Sequence, residues 1–199
     1  HFVMLALPPL FLFMKPELEV SYAALGGIVS GFAATTAIGQ IPAGILVDRF
    51  GARYVLISGV GIMGICLVFA GLSNGYWPLF ILFVVAGVGN SVFHPADFSI
   101  LAARLDKRFF GRAVSIHSFM GYLGWAGASL FILPLAKFTD WHKALLIVGV
   151  AGLALTVAMI FCSECLDDQK GGPNPSSKIQ APRLNLRENI ALMFSLPLV

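Results

Sequence analysis

The sequence predicts an all-α membrane protein with six transmembrane helices, and three observations predict it. The 199 residues are 58% hydrophobic and only 12% charged, where soluble domains carry about 25% charged residues. Mean hydropathy is +0.86, which excludes a water-covered surface and places the chain in the membrane class. Uncharged runs approach or exceed the roughly 20 residues that cross a bilayer as a helix. The formal net charge of +3 is in that setting a matter of topology, and no nucleic-acid partner is expected.

The elements follow in order. Residues 1–14 form the tail of a first span and residues 20–47 a second. From Tyr54 to Ala96 there is no Asp, Glu, Lys or Arg. Within that stretch SNGYWP, residues 73–78, joins turn formers to interfacial aromatics and divides it into spans at 54–72 and 77–101. Residues 113–136 and 144–163 complete the six. Trp77 and Trp141 fall at span ends and read as interfacial anchors; His142, beside Trp141, reads as a solvated loop residue. After Cys165 the sequence LDDQKGGPNPSSKIQAPRLNLRE turns polar and rich in Pro, Gly and Ser. The expected organisation is a transmembrane bundle over 1–163, a cytoplasmic linker over 164–189 and the start of a second bundle over 190–199. The sequence begins at His1 and stops at Val199 inside apolar runs, so it reads as a fragment whose first helix is truncated.

Orientation comes from the basic residues. Of the 13 Lys and Arg, Lys15, Lys137 and Lys143 fall on one side of the bundle. Arg49, Arg53, Arg104, Lys107, Arg108, Arg112, Lys170, Lys178, Arg183 and Arg187 fall on the other, which the positive-inside bias makes cytoplasmic. The second and fourth spans then run inward and the fifth outward.

Several motifs carry no chemistry. GVGIMG, residues 59–64, matches the dinucleotide pattern G-x-G-x-x-G, but no acidic residue follows about 20 positions on and the setting is a membrane span. Small residues that let helices approach closely explain it better, as they do Gly27 and Gly31, and Gly121, Gly124 and Gly127. Cys66 reads as a small hydrophobe. Cys162 and Cys165 form a C-x-x-C without further partners, so neither a metal nor a cofactor is expected.

FHPADFS, residues 93–99, is different, because it ends an uncharged stretch with a histidine and an aspartate. At helical spacing Gly87, Asn90, His94, Asp97 and Leu101 share a face. Pro95 distorts the helix and frees a backbone carbonyl. Asp97 lies seven residues before Arg104, roughly 10 Å along a helix, and His117 six residues after Gly111, roughly 9 Å. The two therefore sit at similar depth on sequential helices. A carboxylate at that depth costs about 2.5–3.5 kcal/mol on insertion scales, which a histidine partner offsets. The structural reading is a hydrogen-bonded cluster, or Asp97 bonded to Arg53. The sharper reading is a proton-coupling site, with Asp97 carrying the proton and His94 and His117 tuning it. Gln40, sharing a face with Thr36 and Gly44, is a substrate contact or an interhelical hydrogen bond. Tyr122 and Trp125 line a cavity or simply pack.

GILVDRFGAR, residues 44–53, lies at the second cytoplasmic turn. Gly44 allows close approach at a helix end, Asp48 and Arg49 mark the membrane boundary, and Gly51 permits a sharp reversal. The spacing resembles the signature loop of the major facilitator superfamily, G-x-x-x-D-R-x-G-R-[RK], with Gly44, Asp48, Arg49, Gly51 and Arg53 matching. The resemblance extends over the six spans and the linker. GVGNSVFHPADFS also resembles the fourth helix of the fosmidomycin-resistance-like and related branches. Three departures stand out. Ala52 replaces the first arginine after the loop glycine, Phe83 falls where the family's fourth-helix arginine would be, and GYLGWAGAS lacks the Gly-Pro of the antiporter motif.

The resemblance implies a 12-helix fold of two six-helix halves, this chain being the first. It implies a small-molecule substrate bound between the halves, proton coupling as an option, and alternating access by rocking. It further implies a lipid-embedded, multi-pass protein of a bacterial inner membrane, monomeric as the full-length chain, with residues 44–53 as a cytoplasmic gating latch. A membrane-embedded enzyme is the competing class, with His94, His117 and Asp97 as conceivable metal ligands and His117–Ser118 in hydrolysis. No H-E-x-x-H is present, and His117–Ser118 has no third convergent partner, so no catalytic residue is assigned. A non-transporting sensor on the same scaffold is the third.

Overall fold

The computed structural model describes residues 2–162, so the expected linker at 164–189 and second bundle at 190–199 lie outside the described residues. Every regular element among the described residues is a helix. They are α1 (Phe2–Ala6), a 3-10 turn (Pro8–Leu10), α2 (Phe11–Leu18), α3 (Tyr22–Phe50), α4 (Ala52–Leu72), α5 (Tyr76–Asn90), α6 (Phe93–Arg104), α7 (Lys107–Phe138) and α8 (Trp141–Phe161). The stretch Tyr76–Arg104, α5 and α6 taken together, counts with α3, α4, α7 and α8 as the 5 segments among the described residues long and apolar enough to cross a membrane. The chain is an all-α, multi-pass membrane protein.

Local chemistry explains the boundaries. Pro8 and Pro9 have no N–H to donate, so the first span breaks into α1 and a 3-10 turn before α2 resumes. Gly51 alone separates α3 from α4. Its φ of 87° is open to glycine and strained for other residues, and its N–H closes α3 on Val47 O at 2.8 Å. The fourth span is interrupted at Ser91 and Val92, because Pro95 cannot donate to the carbonyl four residues back; α6 then restarts with Pro95 in its first turn, where the missing N–H is tolerated. Asp106 caps α7 by accepting from Arg108 N, and Asp140 caps α8 by accepting from Lys143 N at 2.7 Å. The Lys143 ammonium, 2.8 Å from the same carboxylate, holds Asp140 below the usual carboxylate range. That cap therefore contributes above the ordinary Asp range and fades as pH falls through the lowered value.

Packing relies on the glycines. Gly59 faces the backbone of Gly89, where an added Cβ would lie 2.6 Å from the carbonyl oxygen, and so joins α4 to α5. Gly64 and Gly149 bring α4 against α8 in the same manner, and Gly27 and Gly31 meet Tyr76, Phe80 and Val84 of α5. GVGIMG is thus a packing surface. Phe83 is buried in the core and meets Phe32 edge-on at 6.5 Å. Two expectations fail. A Cβ on Gly44 would meet nothing within 4 Å, so no helix approaches it within this bundle. Trp141 is not an interfacial anchor but is 1% exposed. Its indole N–H donates to Glu17 Oε2 at 2.7 Å, and its ring stacks on His142 at 3.6 Å. His142 is likewise held, with Nδ1 3.5 Å from Glu17 Oε1. This cluster fastens α2 to the start of α8. Replacing Trp141 by Phe keeps the ring and removes the donor to a half-exposed carboxylate, so we expect a loss of about 1 kcal/mol. Thermal unfolding of the purified full-length protein checks it, and an unchanged midpoint refutes it.

Candidate functional site

A cavity of about 530 Å³ lies between α3, α4, α5, α6, α7 and α8. It runs from mid-bundle toward the end bearing Arg49, Arg53 and Arg104. Its polar lining is Thr36, Gln40, Asn90, His94, Asp97 and His117. The sequence had singled out each of these residues, drawn from four helices. The rest of the wall is mostly apolar, with Leu56 and Val60 from α4, Phe93 from α6, Met120 and Trp125 from α7, and Leu155 and Met159 from α8.

Asp97 and His117 meet as their matched depths predict, with Nε2 3.4 Å from Asp97 Oδ2 and both side chains largely buried. The alternative pairing of Asp97 with Arg53 is not what forms. Arg53 lies over the Tyr54 ring at 4.7 Å and donates to its hydroxyl at 3.3 Å. His94 stacks on Phe98 with ring centroids 5.9 Å apart, and Phe98 meets His117 edge-on at 6.3 Å. One acid and two imidazoles thus sit on a shared wall of α6 and α7. The α6 register set by the interruption at Ser91–Val92 presents His94 and Asp97 together.

Asn90 is tied into the scaffold. Its amide donates to Thr36 Oγ1 at 3.3 Å, and that hydroxyl donates to Gly87 O at 3.1 Å, linking α3 to α5. Gln40 lines the same cavity and makes no hydrogen bond among the described residues. The loop residues stand apart from the cavity. Asp48 and Arg49 are exposed at the end of α3, Arg49 rests on the Phe50 ring at 5.4 Å, and Asp48 has no ion pair among the described residues. Gly51 makes the turn, and Arg53 opens α4. Among the described residues no group of three or more His, Cys, Asp or Glu is placed to hold a metal ion.

A second hollow of about 120 Å³ adjoins the first and shares His94, His117, Gly121 and Trp125 with it. Phe98 and Tyr122 complete its aromatic wall. Tyr122 and Trp125 therefore line cavities, the first of the two readings the sequence left open.

The profile described as Major Facilitator Superfamily matches residues 2–198. Among curated proteins, a probable sulfoacetate transporter of Cupriavidus necator is 27% identical over 173 residues, covering 86% of this chain and 38% of that protein. A 4-hydroxybenzoate transporter of Pseudomonas aeruginosa is 27% identical over 154 residues, covering 75% of this chain and 34% of the relative. A probable L-galactonate transporter of Escherichia coli is 21% identical over 144 residues, covering 72% and 32%. The chain thus spans between 32% and 38% of the length of these relatives.

Proposed function

The chain belongs to the major facilitator superfamily, and on that premise we propose that it is the first six-helix half of a secondary active transporter for a small organic anion. The observation that carries the reading is the Asp97–His117 pair, 3.4 Å apart in the wall of a cavity of about 530 Å³. Sulfoacetate, galactonate and 4-hydroxybenzoate, the solutes that three relatives are named for, are all anions. An anion entering a low-dielectric cavity brings a charge that is costly there. A proton taken up on the Asp97–His117 pair in the same step offsets one unit of that charge, all of it for a monoanion. Proton and solute then move together, and rocking of the two halves exposes them to either side in turn.

In this reading residues 1–163 form the bundle, 164–189 the cytoplasmic linker and 190–199 the start of the second bundle. The protein works as a monomer in a bacterial inner membrane. The test is solute uptake into proteoliposomes carrying the full-length protein. Saturable uptake of an organic anion, raised by an inward proton gradient and collapsed by a protonophore, is expected. Absence of uptake across a panel of organic acids overturns the reading. Chemical conversion of the solute would favour the enzyme class, and binding without flux the sensor class.

Residues 44–53 act as the latch. Asp48, exposed and without an ion pair among the described residues, is free to face a helix N-terminus of the second bundle, where the dipole favours an anion by about 0.3–1 kcal/mol. Asp48→Asn is then expected to shift the ratio of outward- to inward-facing conformers by about twofold to fivefold against the outward-facing state. Site-directed crosslinking of the full-length protein reads that ratio, and equal populations in mutant and wild type sink the latch.

A further inference from the structure

We propose that the turn between α6 and α7 binds the headgroup of an anionic phospholipid. The inference needs only the membrane and stands apart from the transport reading. Among the described residues the two ends of the bundle carry different chemistry. The end with Lys15, Lys137 and Lys143 also carries Glu17, Glu19 and Asp140, so its formal charges balance. The other end carries Arg49, Arg53, Arg104, Lys107, Arg108 and Arg112 against Asp48 and Asp106. Topology alone would be served by lysine or arginine alike, yet five of these six cations are arginine. A guanidinium is a planar fork that grips a phosphate through two parallel hydrogen bonds, where an ammonium is a point charge.

Three of the arginines lie over the ring that follows them in the chain. Arg49 sits 5.4 Å from the Phe50 ring, Arg53 4.7 Å from Tyr54 and Arg108 4.5 Å from Phe109, and all three rings are exposed. The α6 end packs through Ala96 and Ile100 against Val47, Ala52 and Val55, so the two arginine-bearing turns are neighbours at one membrane face. The turn after α3 is the latch already described. The turn after α6 is the more basic, with Arg104, Lys107, Arg108 and Arg112 all exposed. Asp106, the one acid between them, is engaged within the turn. It accepts from Arg108 N at 3.3 Å and lies 3.6 Å from Arg108 Nε. The Arg108 side chain is still 74% exposed. Arg112 follows one helical turn later on the same face, where two cations repel each other and an anion between them removes the cost. Leu105 and Phe109 are exposed beside them. They offer apolar contact to the first carbons of an acyl chain, which a free phosphate would not use.

The test is native mass spectrometry of the purified full-length protein in detergent, with phosphatidylglycerol and phosphatidylcholine of matched chains added in equal amounts. Wild type is expected to retain phosphatidylglycerol about tenfold over phosphatidylcholine. A cation near an anionic lipid surface is worth about fivefold, so the double variant Arg108→Gln, Arg112→Gln should bring the ratio close to one. The double variant Arg108→Lys, Arg112→Lys keeps the charge and loses the fork, and should fall about threefold below wild type. Both positions are exposed, so unfolding midpoints without added lipid should match wild type in both variants. Equal retention of the two lipids by wild type overturns the site. An unchanged ratio in the glutamine variant does so too, because the lipid then lies elsewhere and the second bundle or the linker covers the turn. A wild-type ratio in the lysine variant reduces the turn to ordinary positive-inside charge and likewise overturns it. Displacement of the retained lipid by millimolar sodium phosphate at constant ionic strength would assign the turn to a free anion and overturn the lipid headgroup as its ligand.

Discussion

Replacing Asp97 by Asn is expected to abolish gradient-driven accumulation while leaving counterflow intact. The two measurements separate because they ask different things of the carrier. Counterflow exchanges labelled for unlabelled solute and needs only binding and reorientation. Accumulation needs each solute to bring a proton down its gradient. One pH unit stores about 1.4 kcal/mol per proton, which sustains about a tenfold solute ratio at one proton per solute, so the mutant ratio should fall from about ten to about one. Asn has nearly the shape of Asp and can still hydrogen-bond His117 across the 3.4 Å that separates the native pair. A structural role would therefore survive the substitution and a proton-carrying role would not. His117→Ala leaves the carboxylate in place without its imidazole, and is expected to move the pH dependence of uptake while counterflow persists. A normally folded Asp97→Asn protein that accumulates solute at the wild-type level and pH dependence would show that the pair only fastens α6 to α7.

The polar half of this site was legible in the sequence, and the apolar half was not. Asp97, His94 and His117 stand out because a charged or titratable residue in an apolar run is costly and so is noticed. The helical rise then placed Asp97 and His117 at one depth without any knowledge of the fold. Leu56, Val60, Leu155 and Met159 line the same cavity, but a helix that is apolar all round gives no periodic sign of which stripe faces lipid and which a cavity. The aromatic wall was half visible. Tyr122 and Trp125 were noticed as residues that line a cavity or pack, yet their place beside Phe98 around one hollow depends on how α6 and α7 cross. The interruption at Ser91–Val92 was readable from Pro95 alone, since a missing N–H is a local fact. Trp141 shows the opposite case. An aromatic residue at a span end has the composition of an interfacial anchor, and only Glu17, 124 residues away in the chain, reveals that it is buried.

The largest loss of stability is expected at Gly149. A Cβ there would lie 2.5 Å from Val68 N and 3.0 Å from Gly64 O, both backbone atoms of α4. Gly64 answers from the other side, where a Cβ would lie 3.0 Å from Leu153 N. The two helices touch backbone to backbone, so a side chain at Gly149 can be admitted only by moving a helix. Gly149→Val should therefore cost on the order of 3 kcal/mol, seen as a lowered unfolding midpoint of the purified full-length protein. Trimming Val68 to Ala would not rescue it, because the obstruction includes the main chain. Gly31 provides the contrast. There the nearest atoms, at 3.2 Å, belong to the side chains of Phe80 and Val84, which have room to give, so Gly31→Ala should be milder and Phe80→Leu should relieve it. Gly26, with nothing within 4 Å of an added Cβ, should accept Ala without loss. Equal midpoints for Gly149→Val and Gly26→Ala would show that α4 and α8 are not joined through these glycines. The effect reaches the cavity as well, because α8 carries Leu155 and Met159 into its wall. A partly displaced α8 should weaken solute binding in the protein that remains folded.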